Sequence, residues 1–353
     1  MRANAVALMG FLLLSPFSMA WGDAVNQIVV FGDSLSDNGN AAAALGGQFS
    51  FNGSTNYAKN AATNGPNTIP PVPSGGPYGL WVDQLATKVG LADPQPFTQL
   101  TASGLAPNFN GTNFAVGSAD TGSNPNFNLS TVFTNPQVPF VSDQLSLFNA
   151  FNVHNGTLPN PNALYTFWAG ANDIADLKSP ITAANNIMAN IQTLAGEGAK
   201  TFLWVNLPDL GAVPAVNTNP VLSAFATAQS NAFDAQFAQD VMVLQQQNHI
   251  NVIPVDVNQL FAQIVDNPSK FNFSNVMDAA QGNSAVNPNT YLFWDGEHPT
   301  TEADSLVADL AASDLTAAGV VATPEPPSVT FAVIGGLILG ALVLRKRFRK
   351  TTT

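Results

Sequence analysis

Two short stretches near opposite ends of a 353-residue chain carry the residue types of an activated serine nucleophile. Phe31-Gly32-Asp33-Ser34-Leu35-Ser36-Asp37 places a hydroxyl directly after an apolar run, and Asp295-Gly296-Glu297-His298-Pro299-Thr300 places a carboxylate three residues before an imidazole. A serine hydroxyl is a poor nucleophile unless a base lies within hydrogen-bond reach, and that base needs a carboxylate to fix its tautomer. Asp295 and His298 can meet on one turn, which would hold Nδ1 and leave Nε2 facing Ser34. The two other histidines, His154 and His249, each sit beside asparagine in polar surroundings and are expected on the surface. With three histidines, no cysteine and no local ligand spacing, neither a metal site nor a thiol nucleophile is expected, and no cofactor motif is present.

Ester chemistry of this type also needs donors for a developing oxyanion. Asn113-Phe114-Ala115-Val116-Gly117 offers a glycine whose backbone can approach a substrate, and Gly170-Ala171-Asn172-Asp173 offers a side-chain amide just after a strand candidate. With the Ser34 backbone N–H, these would make three donors. Gly-Asp-Ser alone more often marks a turn than a nucleophile. The other common elbow, Gly-x-Ser-x-Gly, is absent, which argues against an α/β-hydrolase fold.

The elements that must position these groups follow a rhythm of short apolar strands and helical windows, the pattern of a parallel α/β sheet. Strands are predicted at 27–31, 165–168, 201–206 and 251–255. The first three end at Gly32-Asp33-Ser34, at Gly170-Ala171-Asn172 and at Leu207-Pro208-Asp209. Helices are predicted at 181–195 (Ile187, Ile191 and Leu194 on one face), at 221–247 (Phe225, Phe233, Phe237 and Val241) and at 301–318, just after Pro299. Gly32 would permit a tight strand-to-helix turn and leave Ser34 at the carboxyl edge of the sheet, where ligands of open α/β sheets bind.

These four blocks, in this order, closely resemble the SGNH/GDSL hydrolase family. Matched motif by motif, the resemblance makes Ser34 the nucleophile and Asp295 and His298 its partners. It makes the Ser34 N–H, Gly117 and Asn172 the oxyanion hole. It implies a three-layer α/β/α, flavodoxin-like fold with about five parallel strands, and an esterase or lipase working through an acyl-enzyme. Gly-Asp-Ser-Leu-Ser-Asp-Asn-Gly-Asn and His-Pro-Thr resemble the lipase-like branch, and the likeness covers about residues 26–318. Two features depart from the family pattern: a long 46–79 loop, and Glu297 beside the base.

Composition and charge narrow the function classes. Hydrophobic residues make up 46% and charged residues 10%, which excludes a disordered chain. Six of the 11 Lys and Arg lie at the ends: Arg2, Arg345, Lys346, Arg347, Arg349 and Lys350. Residues 25–323 hold 21 acidic residues against five lysines, a net charge of roughly −16. Such a body repels phosphate backbones, so nucleic-acid binding is not expected.

The ends read as addresses flanking a hydrolase domain at 25–322. Residues 1–24 have the basic start, apolar run and small-x-small pattern of a signal peptide, with Ala20 or Ala24 last to be removed. At the other end, Pro324-Glu325-Pro326, a neutral apolar stretch at 329–344 and an arginine-rich terminus resemble a PEP-CTERM sorting signal. That resemblance implies an inner-membrane intermediate held by 329–344 and cleavage by an exosortase. The product would be at the cell surface or outside a Gram-negative cell.

Two long stretches, 46–79 and 104–140, are rich in Asn, Gly, Pro, Ser and Phe. Their aromatics (among them Phe49, Phe51, Tyr57, Tyr78, Phe109, Phe114, Phe127 and Phe133) and nearby Trp81 would line an acyl groove, stack on sugar rings or form a satellite core. The sequence thus leaves two rivals to the esterase: a carbohydrate O-deacetylase acting on extracellular polysaccharide, and a non-catalytic surface protein that retains the fold.

Overall fold

The structure is a computed structural model that describes residues 24–45, 79–247, 249–283 and 285–321. Residues 1–23 of the expected signal peptide, 46–78 of the 46–79 loop and the sorting tail lie outside the described residues. Phe49, Phe51, Tyr57 and Tyr78 lie there too. Among the described residues no helix is long and apolar enough to cross a membrane.

In chain order the elements begin with β1 (Gln27–Gly32), α1 (Asn40–Ala44), α2 (Trp81–Lys88), β2 (Thr98–Thr101) and β3 (Gly104–Pro107). Next come α3 (Val141–Asn155), β4 (Ala163–Trp168), α4 (Ala171–Ala175), α5 (Pro180–Gly196), β5 (Thr201–Val205) and α6 (Pro220–Gln245). The chain continues with β6 (Asn251–Val255), α7 (Val257–Asp266), β7 (Asn275–Ala279), β8 (Tyr291–Phe293) and α8 (Thr301–Ala317). The central sheet runs β1-β4-β5-β6, all parallel. A fifth position beside β1 is filled by irregular chain: Val30 N–H donates to Thr112 O, and Phe114 N–H donates to Val30 O, each at 2.8 Å. Val116 N–H adds a bond to Gly32 O at 3.2 Å. Of about five strands expected, four are regular and the fifth is this segment of the 104–140 stretch.

The strands alternate their side chains between two helical layers, as a sheet buried on both faces requires. Val29, Phe31, Tyr165, Phe167, Phe202 and Trp204 face a core shared with α3, α5 and α6. Ile28, Val30, Leu164, Trp168, Leu203 and Val205 face a core shared with α2, α7 and α8. The helix starts follow local chemistry. Ser179 and Asn219 accept hydrogen bonds from the first-turn N–H groups of α5 and α6, each followed by proline at the first helical position. Thr300 caps α8 through Ala303 N–H.

The described aromatics of this set belong to the cores or pack against them. Trp81 and Phe114 are fully buried, and Phe109, Phe127 and Phe133 pack against the first core. None of them lines the cavity at Ser34: the four phenylalanines belong to the core shared with α3, and Trp81 to the opposite core beside Trp168. His154 and His249 are both exposed, and His154 stacks on Phe109.

Candidate active site

Ser34 sits two residues past the end of β1, at the carboxyl edge of the sheet. A side chain on Gly32 would press a Cβ to within 2.5 Å of the Trp168 carbonyl oxygen, so only glycine lets β1 end this close to β4. The turn that follows is closed by Asp33, whose carbonyl accepts from Ser36 and Asp37 N–H. Instead of running straight into a helix, as predicted, the chain makes this turn first and reaches α1 only at Asn40. On the neighbouring strand, Gly170 adopts φ 124°, and a Cβ there would meet the Phe233 ring at 2.6 Å. This glycine delivers Asn172 to the same edge.

Asp295 and His298 come from the turn after β8. Trp294 N–H donates to His298 O, and both Glu297 N–H and His298 N–H donate to Asp295 Oδ1 at 2.9 and 2.8 Å. The turn is thus built around the carboxylate before its side chain engages the ring. His298 Nδ1 lies 2.9 and 3.0 Å from the two Asp295 oxygens, and Nε2 lies 2.8 Å from Ser34 Oγ. An ionised Asp295 accepts only, so Nδ1 carries the hydrogen and Nε2 accepts from the Ser34 hydroxyl. The three residues predicted from opposite ends of the chain meet in one hydrogen-bonded line, all buried.

Electrostatics follow from that burial. Burial pulls the His298 pKa down, but the hydrogen bond and charge of Asp295, with the charges of Glu297 and Asp33, outweigh it and leave it above 6.5. Burial pushes Asp295 up, but the bond to His298 and two backbone N–H groups bring it below the usual carboxylate value. Burial raises Asp33 to about 7, against the Leu35 N–H bond and the His298 charge.

The predicted oxyanion donors are placed unequally. Asn172 Nδ2 donates to Ala119 O at 3.1 Å and approaches Asp33 Oδ2 at 3.4 Å, within the cavity that holds Ser34. Gly117 is not offered to that cavity: its N–H donates to Asp37 Oδ2 at 2.8 Å. The same carboxylate receives the N–H groups of Gly39, Asn40 and Ala41, so Asp37 ties the 113–117 block to the start of α1. Beside it, Ser118 holds φ 64°, is exposed, and has a backbone N–H with no partner among the described residues.

A cavity of about 580 Å³ opens over Ser34 and His298. Its apolar lining includes Leu177, Leu207, Val213, Leu222, Phe225 and Phe261, from the carboxyl-side loops and from α6 and α7. Leu177 is 78% exposed and holds φ 58°, a costly conformation for leucine. Phe225, expected on the buried face of its helix with Phe233, Phe237 and Val241, is 44% exposed and faces this cavity instead. The sequence reading missed this lining. Its only signal was apolar residues at helix ends, where the buried stripe should already have turned away. An activated hydroxyl at the floor of such a cavity can attack a carbonyl whose substituent is buried among hydrocarbon.

The profile of the family described as GDSL-like Lipase/Acylhydrolase matches residues 28–311. The chain is 28% identical over 333 residues to esterase EstA of Pseudomonas aeruginosa, covering 86% of this chain and 49% of that one. It is 23% identical over 398 residues to lipase 1 of Photorhabdus luminescens, covering 90% and 54%. This chain thus spans about half the length of these two curated relatives. Among solved structures, Est24, a carbohydrate acetylesterase from Sinorhizobium meliloti, is similar over 83% of this chain and 99% of its own. The TM-score there is 0.44 and the identity 14%. The chain belongs to the GDSL-like lipase/acylhydrolase family.

Proposed function

We propose that this protein is a serine esterase or lipase that hydrolyses carboxylic esters through an acyl-enzyme on Ser34. The observation that carries the reading is the Asp295–His298–Ser34 line, 2.9 and 2.8 Å per link, at the floor of an apolar cavity. His298 Nε2 takes the Ser34 proton as Oγ bonds to the carbonyl carbon. The carbon–oxygen bond to the alcohol then breaks, and the alcohol leaves with the proton from Nε2. Water repeats the sequence: its proton passes to His298, its oxygen bonds to the acyl carbon, and the acid departs as Ser34 regains its hydrogen. The Ser34 N–H and the Asn172 amide stabilise the oxyanion. The Gly117 N–H joins them only by leaving Asp37. A chain-length series of p-nitrophenyl esters, run beside acetylated sugars, tests the reading. Turnover that rises from acetyl to longer acyl groups fits the apolar cavity, whereas turnover of acetylated sugars alone replaces the lipase-like reading with a deacetylase.

We further propose that the chain is exported by residues 1–24 and pauses in the inner membrane by 329–344 before an exosortase cuts near Pro324-Glu325-Pro326. The charge layout supports this. A basic end resists translocation, the apolar stretch barely suffices to span, and anionic lipid repels the acidic body. Mature protein from a native host should lack the residues after the motif. Recovery of the intact basic tail on exported protein contradicts sorting and leaves the esterase reading untouched.

A further inference from the structure

The cavity over Ser34 is apolar in its walls but single-signed in its charges. Asp33, Asp209, Asp266 and Glu297 line it together with the reacting pair, and no lysine or arginine does so among the described residues. The described part of the chain contains no arginine at all. Lys178 follows the cavity residue Leu177, yet its ammonium pairs with Asp120 and Asp176 and stays out of the lining. Glu297 is exposed and immediately precedes the base, and its charge already acts on the His298 ring. The imidazole itself offers no compensating cation, since any positive charge on it is matched by Asp295 at 2.9 Å.

We infer that this cavity selects esters by charge, accepting uncharged ones and rejecting those with a negative group near the reacting carbonyl, with Glu297 as a specificity-determining residue. The inference rests on the esterase reading above and names its substrate class. An apolar wall cannot solvate an anion, so a substrate carboxylate or phosphate loses hydration there without gaining a partner. Like charges within the same cavity add repulsion, and low-dielectric walls focus that field toward the opening. Together these should disfavour an anionic ester by on the order of tenfold in kcat/KM at low salt. Screening contracts with ionic strength, to a Debye length of about 3 Å at 1 M salt, so the discrimination should shrink as salt is added.

The test uses the full chain and two substrates of nearly equal size, 4-acetoxybenzoate and its neutral methyl ester. Each kcat/KM is divided by the uncatalysed rate to remove leaving-group differences. The expected neutral-to-anionic ratio is on the order of ten at low salt, falling toward one near 1 M salt. Glu297→Gln should lower the low-salt ratio by about two- to threefold, as should Asp266→Asn, a cavity residue at the end of α7 outside the 295–298 turn. The ratio cancels any effect of either variant on the chemical step, because both substrates share it. A wild-type ratio near one, or a ratio indifferent to salt, overturns the charge selection while leaving the esterase reading standing. Absence of turnover of the neutral ester and of every p-nitrophenyl ester of the chain-length series overturns both.

Discussion

Asn172 holds its amide nitrogen 3.1 Å from the Ala119 carbonyl oxygen and 3.4 Å from Asp33 Oδ2. The first bond fixes the plane of the side chain. The second is long enough to yield to a better acceptor, and an oxyanion forming on the Ser34 adduct is one. Asn172→Ala is therefore expected to lower kcat by roughly 10²–10³-fold with a smaller change in KM. Steady-state kinetics on one soluble ester measure this. A change confined to KM would make Asn172 a ground-state binding residue.

The pH dependence follows from the charges around His298. The base must be neutral to accept the Ser34 proton, so kcat/KM rises with pH through its pKa. Burial lowers that pKa, but the Asp295 bond and charge, with Glu297 and Asp33, raise it above 6.5. Asp33, pushed by burial up to about 7, ionises in the same range and couples to the ring. The acid limb should have its half-maximum above pH 6.5 and be broader than one ionisation. Glu297→Gln should move it to lower pH, because one charge favouring the imidazolium is lost. Full activity at pH 5 would contradict a histidine base in this environment.

Much of this arrangement was legible in the sequence because local pattern and tertiary burial agree. Strands β1, β4, β5 and β6 were predicted within two residues at each end, since each is a short apolar run bounded by glycine, proline or polar residues. Ser34, Asp295 and His298 were legible because nucleophile, base and carboxylate need fixed chemistry at fixed local spacing. The fifth sheet position was not, because residues 112–116 pair through isolated backbone bonds and carry no strand pattern of their own. Asp37 was missed as an organiser of Gly117 because a partner 80 residues away leaves no mark on local sequence. The cavity walls were sought among the aromatic loops. The described rings among them are buried or pack against the cores, and the lining comes from Leu222, Phe225 and other residues whose outward direction depends on helix packing.

Buried carboxyls should make the fold more stable in mild acid than in alkali. Burial raises Asp33 and Asp234 to about 7 and Asp37 and Asp173 to about 6, and it raises Asp304 well above its ordinary value. A carboxyl with a higher pKa folded than unfolded binds more protons in the folded state. Its stabilising contribution is complete below the unfolded value near 3.8 and is lost as pH climbs through the folded one. The raised His298 acts with the same sign, losing its contribution as pH rises past 6.5. Thermal midpoints should therefore be higher near pH 5 than near pH 8. Asp304 is fully buried, with both carboxylate oxygens unpartnered among the described residues and Asp83 as a like-charged neighbour. Asp304→Asn should raise Tm at pH 8 by roughly 2–4 °C and change it little near pH 4. A lowered Tm at pH 8 would show that the carboxylate has a stabilising partner.

The most direct test of Ser34 as an activated nucleophile is covalent labelling by a fluorophosphonate, with the adduct located by mass spectrometry. Only a serine whose proton is taken by a poised base reacts readily. The expected result is a single adduct on Ser34, absent in Ser34→Ala and slowed by on the order of a hundredfold or more in His298→Ala, with both variants folded by circular dichroism. A folded wild-type protein that stays unlabelled, or an adduct on a serine other than Ser34, would contradict it.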